Sequence, residues 1–286
     1  MKDVSLLVLS CSLYKNIWTP FFSLLKEYWP DCPLKIYLGS DKYTDSYTHD
    51  DHDITLLKTD IEPFAGNYTE RVADFLKQVD SKYVLLFQED HVLDAEVHTQ
   101  EILECYDILE DHEKYKGIRL HGVGADCGLG MTKFRVNDRI NINECTGGQP
   151  YLFSWMCTLW DRQFILDYIS KFSLSAESCE KRLTEEIRKD KYKILAIDQE
   201  YEGEVRHHGR IKNIIPYDGI GAVNGGAVEE SYMDLFKEKN IPIEVYDQNC
   251  IYNKSGDESK FNKDDAYYMK CQTVSGGRPE KEKNDR

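Results

Sequence analysis

The segment Tyr83 to Asp94, YVLLFQEDHVLD, sets ionisable side chains at the end of an apolar run. The run reads as a buried strand that delivers Glu89, Asp90 and His91 to its tip, with Asp94 close behind. Carboxylates held on a rigid strand end suit a hard divalent cation that also touches substrate phosphates. Such a cation offsets charge on a diphosphate leaving group. A solvated acidic turn after a strand is the plain alternative, because Asp and Glu number 51 in this chain.

The elements around this segment alternate. Val4 to Ser10 reads as a first buried strand. Thr19 and Pro20 look like the cap and first position of a helix carrying Phe21, Leu24, Leu25 and Tyr28 inward. Leu34 to Leu38 is a second strand, closed by Gly39-Ser40-Asp41, and Ile54 to Leu57 a third. Asn67 and Glu70 have the spacing of a capping box, and Val72, Phe75, Leu76 and Val79 form the apolar stripe of that helix. Tyr83 to Phe87 is the fourth strand. This alternation predicts an α/β fold, a mostly parallel, doubly wound twisted sheet with helices on both faces. Ligands of such sheets bind beyond the carboxyl ends of the strands. Three of those ends are polar or small here: Ser10-Cys11, Gly39-Ser40-Asp41 and Gln88-Glu89-Asp90.

Further along, a helix is expected over 95–114 and a strand from Gly117 to His121. Residues 122–150 read as a long glycine-rich loop. Asp161 can cap a helix, a charged helix runs from Glu177 to Lys191, and Lys193 to Ile197 is strand-like. A glycine-rich turn over 219–226 precedes a helix from about Glu229 to Lys239. The glycines Gly219, Gly221, Gly225 and Gly226 match neither a P-loop nor a dinucleotide fingerprint. One domain over 1–245 follows, divided near 120 into two halves, with a polar extension over 246–286 that is disordered toward its end.

The 36 basic against 51 acidic residues give a formal charge of −15, which argues against nucleic acid as a partner. The composition is 41% hydrophobic and 12% aromatic, enough for a substantial core. Nine cysteines form no CxxC pair, which fits free thiols in a reducing compartment. No apolar run reaches the ~20 residues of a membrane span. Asp3 sits where a signal peptide is usually free of acids. A cytoplasmic protein is expected, at most peripheral to a membrane.

Several phrases resemble the GT-A superfamily of nucleotide-sugar-dependent glycosyltransferases, and among them bacterial and viral sugar transferases of polysaccharide assembly. Ile17 to Asp41 is similar to their amphipathic helix and following strand, Phe87 to Asp90 to their strand with a D-x-D-like end, and Ser154 to Ile165 to a later aromatic segment. The likeness spans about residues 4 to 240. It departs at Gln88, where the first acid of the triplet is an amide, and at Ser175 to Glu180, which lack a Pro-Trp pair.

The resemblance implies a UDP-type nucleoside diphosphate sugar as donor and a hydroxyl of a glycan or glycolipid as acceptor. Ser10, Gly39 and Asp41 would lie along the nucleotide, with Glu89 directed at the ribose or sugar. Arg71 would reach the pyrophosphate as a bidentate donor, or else pair with Glu70 or Asp74 on the surface. Asp90 would hold Mn²⁺ or Mg²⁺, with His207 or His208 completing that site and Asp94 behind it. An inverting enzyme needs a base for the acceptor hydroxyl. Glu180 and Glu177 are the candidates, although acids at a helix start are also favoured by the helix dipole. His121 and Asp126 would contact sugar or acceptor, and Trp155 would offer an acceptor platform, while Trp160 reads as core. Two rivals stand beside this reading: a sugar nucleotidyltransferase, and a non-catalytic carbohydrate or nucleotide-sugar binder on the same fold.

Overall fold

The computed structural model of the 286-residue chain describes residues 3–62, 65–123, 129–138, 140–146, 148, 151–198 and 227–243. Short pieces at 201–202, 210–211, 214–215, 217–218, 222–224 and 251–252 are also described. The elements run β1 (Val4–Leu9), α1 (Lys15–Tyr28), β2 (Lys35–Asp41), β3 (Ile54–Thr59), α2 (Tyr68–Gln78), β4 (Tyr83–Gln88), α3 (Thr99–Asp111) and β5 (Tyr115–Val123). Then follow β6 (Leu129–Arg135), β7 (Asn141–Cys145), β8 (Thr158–Asp161), α4 (Arg162–Ile169), α5 (Ala176–Arg188), β9 (Lys193–Asp198) and, later, α6 (Glu230–Glu238).

One sheet of nine strands has the order β3-β2-β1-β4-β8-β5-β9-β7-β6. The first four in that order pair in parallel. The strand β8 is antiparallel to both β4 and β5, and β7 is antiparallel to both β9 and β6. Seven strands therefore share one direction, as the alternating pattern predicted. Along β1, alternate side chains feed opposite layers. Leu6 and Val8 join a core with Trp18, Phe21 and Phe22 of α1 and Ile102 of α3. Leu7 and Leu9 join a core with Val72 and Phe75 of α2, Ile165 of α4 and Leu183 of α5. Burial on both faces is why β1 and β4 read as unbroken apolar runs.

Local signals and tertiary packing part ways at several places. The helix α1 begins at Lys15, not at Thr19, and encloses Pro20. Ile17 and Trp18 are fully buried, and that burial outweighs the helix bond to Asn16 that Pro20 cannot donate. Asn67 is the N-cap of α2 but makes no side-chain cap hydrogen bond, so the capping box is not formed. The expected loop over 122–150 contains β6 and β7, an antiparallel pair at the sheet edge. Gly39, Ser40 and Asp41 do not close β2 but are its last residues. Asp161 caps α4 as expected, accepting from the Phe164 amide at 2.9 Å. The polar extension lies outside the described residues, except Ile251 and Tyr252, which form a short strand. Six cysteines among the described residues are free, as the sequence suggested. No helix among the described residues is long and apolar enough to cross a membrane.

Gly39 shows what places α2 against the sheet. A Cβ there would lie 2.6 Å from the Phe75 ring, far inside van der Waals contact. The missing side chain lets α2 settle onto β2, and with it Arg71. Gly39→Val should therefore cost about 1–3 kcal/mol of stability through overpacking, measured by denaturant unfolding. An unchanged unfolding midpoint would refute this account.

Candidate functional site

The carboxyl ends of β1, β2 and β4 meet at one edge, with Leu9 paired to Gly39 and to Gln88. What gathers there is more closed than the sequence suggested. Asp41 is fully buried. Its Oδ2 accepts from the Ser12 amide at 2.9 Å and the Ser12 hydroxyl at 3.0 Å, and its Oδ1 from the Tyr43 amide at 3.0 Å. Three donors on a carboxylate without solvent contact make it a clamp between the β1 and β2 loops. Gly39 meets Phe75, so its evident role is packing.

Ser10 and Glu89 form the next layer. Ser10 Oγ accepts from Trp18 Nε1 at 2.6 Å, and its hydroxyl hydrogen-bonds Glu89. Glu89 is buried beside Asp90. Desolvation, followed by repulsion from the Asp90 charge, pushes its pKa up to about 8. Ser10 and Arg71 pull the other way and do not prevail.

Arg71 is 3% exposed. Its Cζ lies 5.5 Å from the centre of the Tyr68 ring. Its Nε and Nη1 are buried and have no hydrogen-bond partner among the described residues. Neither Glu70 nor Asp74 takes it up in a salt bridge there, so the surface pairing considered from sequence is not formed. The Oδ1 of Asn67, one turn earlier, is likewise buried and unpartnered. Buried polar atoms are almost always satisfied, so atoms the protein leaves unpaired are matched by water or by a ligand.

Beyond Arg71, a chain of contacts links the strand end to α5. Tyr68 OH accepts from Gln88 Nε2 at 3.3 Å, and Gln88 Oε1 pairs with His91 Nε2 at 3.2 Å. The amide in place of the first acid thus joins a tyrosine to a histidine. The Tyr68 ring packs edge-on against Trp155 at 5.2 Å. The Trp155 amide donates to Glu180 Oε1 at 2.9 Å. Burial raises the Glu180 carboxyl above its ordinary value, and Trp155, Ser154, Arg119 and His91 partly oppose that. Glu180 therefore faces inward, whereas Glu177, on the exposed side of the same turn, pairs with Lys181 at 2.6 Å. The Trp155 ring is 2% exposed and donates from Nε1 to Ala176 O at 3.2 Å. It presents no open face on which a sugar ring could stack. Trp160 is fully buried, as expected.

Asp90 keeps partial exposure, 26% of its side chain, with His91 Nε2 at 3.7 Å. Its carbonyl accepts from the Ala222 amide at 2.6 Å. Asp94 is buried behind it. Cys157, whose thiol lies within the electrostatic reach of Asp90, takes a positive φ of 26°. That conformation is costly for a side chain with a Cβ. Among the described residues no group of three or more His, Cys, Asp or Glu side chains is placed to hold an ion. The backbone of His121 ends within β5; its side chain, and all of Asp126, His207 and His208, lie outside the described residues. Sequence reasoning did not single out Asn67 as a ligand residue, nor Tyr68 and Gln88 as a bridge. Only the spacing of Asn67 and Arg71, one helical turn, carried a signal.

No family model and no curated protein matches the chain. Solved structures do. TarS 1-349 from S. aureus in complex with UDP-GlcNAc is 14% identical over 71% of this chain and 60% of its own, with a TM-score of 0.42. A cytidylyltransferase from Leptospira borgpetersenii is 10% identical over 86% of this chain and 100% of its own, with a TM-score of 0.43. A CMP:2-keto-3-deoxy-manno-octonic acid synthetase complexed with CTP is 13% identical over 69% of this chain and 90% of its own, with a TM-score of 0.39. The chain spans 58% of TarS 1-349 and 40% of the longer TarS chain. At these identities and scores, the similar structures assign no activity to this chain.

The raised carboxyl of Glu180 has a thermodynamic consequence. The folded protein keeps that proton to a higher pH than the unfolded chain does, so ionising Glu180 costs stability as pH rises above the ordinary value of 4.5. Glu180→Gln retains the acceptor for Trp155 and removes the charge. Its melting temperature should exceed that of the wild type at about pH 8 and converge with it near about pH 4. A constant difference across that range would show that the Glu180 charge is not what is being strained.

Proposed function

We propose that the chain is a glycosyltransferase that takes a sugar from a nucleoside diphosphate sugar, of the UDP type, and moves it to a hydroxyl of a glycan or glycolipid. The observation that carries this reading is the buried Arg71 guanidinium, whose Nε and Nη1 have no hydrogen-bond partner among the described residues and whose charge acts on Glu89 at the end of β4. Burying an unpaired charge costs several kcal/mol. A fold keeps such a group where an anion repays the cost in the bound state, and a diphosphate is the anion that a nucleotide sugar brings to this edge.

The site supports a division of labour. Arg71 holds the diphosphate and stabilises the charge that grows on it as the glycosidic bond breaks. Glu180, held by Trp155, takes the proton of the incoming hydroxyl as a general base. Glu177 is the weaker candidate, because its carboxylate lies in solvent against Lys181. Asp90, the partly exposed carboxylate of the strand end, is the residue that would hold a Mn²⁺ or Mg²⁺ ion, which would supply charge neutralisation for a leaving diphosphate. Ser10 and Glu89 interact at the same edge, where they would meet a ribose or sugar hydroxyl. The acceptor side falls to β5 and the 151–157 segment, which contain His121 and Trp155, while Asp126 lies outside the described residues; the buried Trp155 serves better as the brace of Glu180, through its backbone amide, than as a platform.

Arg71→Met separates stability from function. Removing a buried unpaired charge should leave the melting temperature at or above that of the wild type. Stabilisation by UDP or by a UDP-sugar in a thermal-shift titration should be lost. Equal ligand-induced shifts in both proteins would refute the role of Arg71. In a turnover assay across UDP-, GDP- and CMP-sugars, released nucleoside diphosphate supports sugar transfer. Consumption of a nucleoside triphosphate with release of pyrophosphate would instead establish the nucleotidyltransferase reaction. Asp90→Asn should lower turnover by at least a hundredfold while leaving the fold intact.

A further inference from the structure

The Nε and Nη1 of Arg71 are not alone in lacking a hydrogen-bond partner among the described residues. Asn67 precedes Arg71 by four residues, at the start of α2, and its Oδ1 is buried and unpaired among them as well. Asn67 is the N-cap and Arg71 the fourth residue of α2, so the two unpaired donors of Arg71 and the unpaired acceptor of Asn67 both stand at its first turn. Asn67 is also relieved of its usual duty. As the N-cap of α2 it makes no side-chain cap bond, so nothing local accounts for the orientation of its amide.

A phosphate oxygen satisfies the guanidinium and leaves the acceptor of Asn67 unmatched. An acceptor needs a donor, and a phosphate near neutral pH has little to give. The group that fits is a hydroxyl attached a few bonds away from the phosphate. A nucleoside diphosphate sugar carries such hydroxyls on both sides of the diphosphate: on the ribose and on the transferred sugar.

We infer that Asn67 and Arg71 form a paired subsite, in which Arg71 takes a phosphate oxygen and Asn67 Oδ1 accepts a hydroxyl of the same ligand. The inference rests on the donor reading given above and extends it to specificity. Asn67 makes the site select hydroxylated ligands over their deoxy analogues. The physical basis is the cost of leaving a buried acceptor unpaired. A site built to hydrogen-bond a hydroxyl rejects the analogue lacking it far more strongly than an apolar pocket rejects a change of size.

The test uses the full chain and calorimetric titration with UDP, 2′-deoxy-UDP, UDP-glucose and UDP-2-deoxyglucose. Wild-type protein should bind one hydroxylated ligand at least tenfold more tightly than its deoxy partner. The UDP pair reports a ribose hydroxyl and the UDP-glucose pair a sugar hydroxyl. Asn67→Leu should reduce the discrimination to less than twofold while retaining binding of the deoxy ligand, because Arg71 is untouched. Asn67→Ala, smaller and easily accommodated, should behave alike and guards against misfolding of the leucine variant. Equal affinity of the wild type within both pairs, or undiminished discrimination in both variants, overturns the subsite while leaving the donor reading standing. Failure of all four ligands to bind the wild type overturns the donor reading and the subsite together.

Discussion

A buried positive charge, with two of its donor nitrogens unpaired among the described residues, is the constraint on which this structure turns. Arg71 could face water at little cost from the other side of α2. It is held inside because Val72, Phe75 and Leu76 on the same helix are buried against β1, β2 and β4. The hydrophobic layer fixes the rotation of the helix, and the rotation fixes the guanidinium. Several kcal/mol of desolvation are carried by a layer whose total burial is far larger. The apolar residues thereby pre-organise a cation that would otherwise leave the site. Glu89, an acid on which Arg71 acts electrostatically, is itself buried, and desolvation and Asp90 raise its carboxyl against that pull.

Around that cation the site is braced from both faces of the sheet. Trp18 belongs to the α1 layer and reaches Ser10, which reaches Glu89. Trp155 belongs to the α5 layer and holds Glu180 while pressing on Tyr68. Each large aromatic contributes apolar area to a core; the Trp18 indole N–H is given to Ser10, whereas Trp155 holds Glu180 through its backbone amide and gives its indole N–H to Ala176 O. Gln88 joins Tyr68 to His91 across the strand tip. The amide, which both donates and accepts, suits such a bridge.

Much of the fold was legible. The four parallel strands follow from apolar runs bounded by turns, and the helices from their stripes. The failures are informative. Pro20 is a strong local signal, but Ile17 and Trp18 have burial to gain, and tertiary packing overrode it. The β6–β7 pair was hidden because Leu129–Arg135 and Asn141–Cys145 lie at the sheet edge and lack the continuous apolar character of buried strands. At the site, residue types pointed to the carboxyl edge of β1, β2 and β4. What sequence could not reveal was satisfaction. Asp41 looked available and is fully engaged by three donors, whereas Arg71, read either as a pyrophosphate ligand or as a surface partner of Glu70 or Asp74, is buried with Nε and Nη1 unpaired among the described residues. Whether a polar group is free depends on neighbours brought from distant sequence, and no local pattern encodes that.

The buried cysteines around this edge make it observable. Cys11 follows Ser10, Cys157 lies near Asp90, and Cys179 adjoins Glu180; all three are buried and unbridged. Burial raises the thiols of Cys157 and Cys179 well above their ordinary value, so in the closed state they are poor nucleophiles toward an alkylating reagent. Each becomes reactive only when its own part of the structure opens. The rate at which each thiol is captured thus times the breathing of the strand ends and of α5 separately. A ligand that seats on this edge would slow those clocks without any label having been introduced.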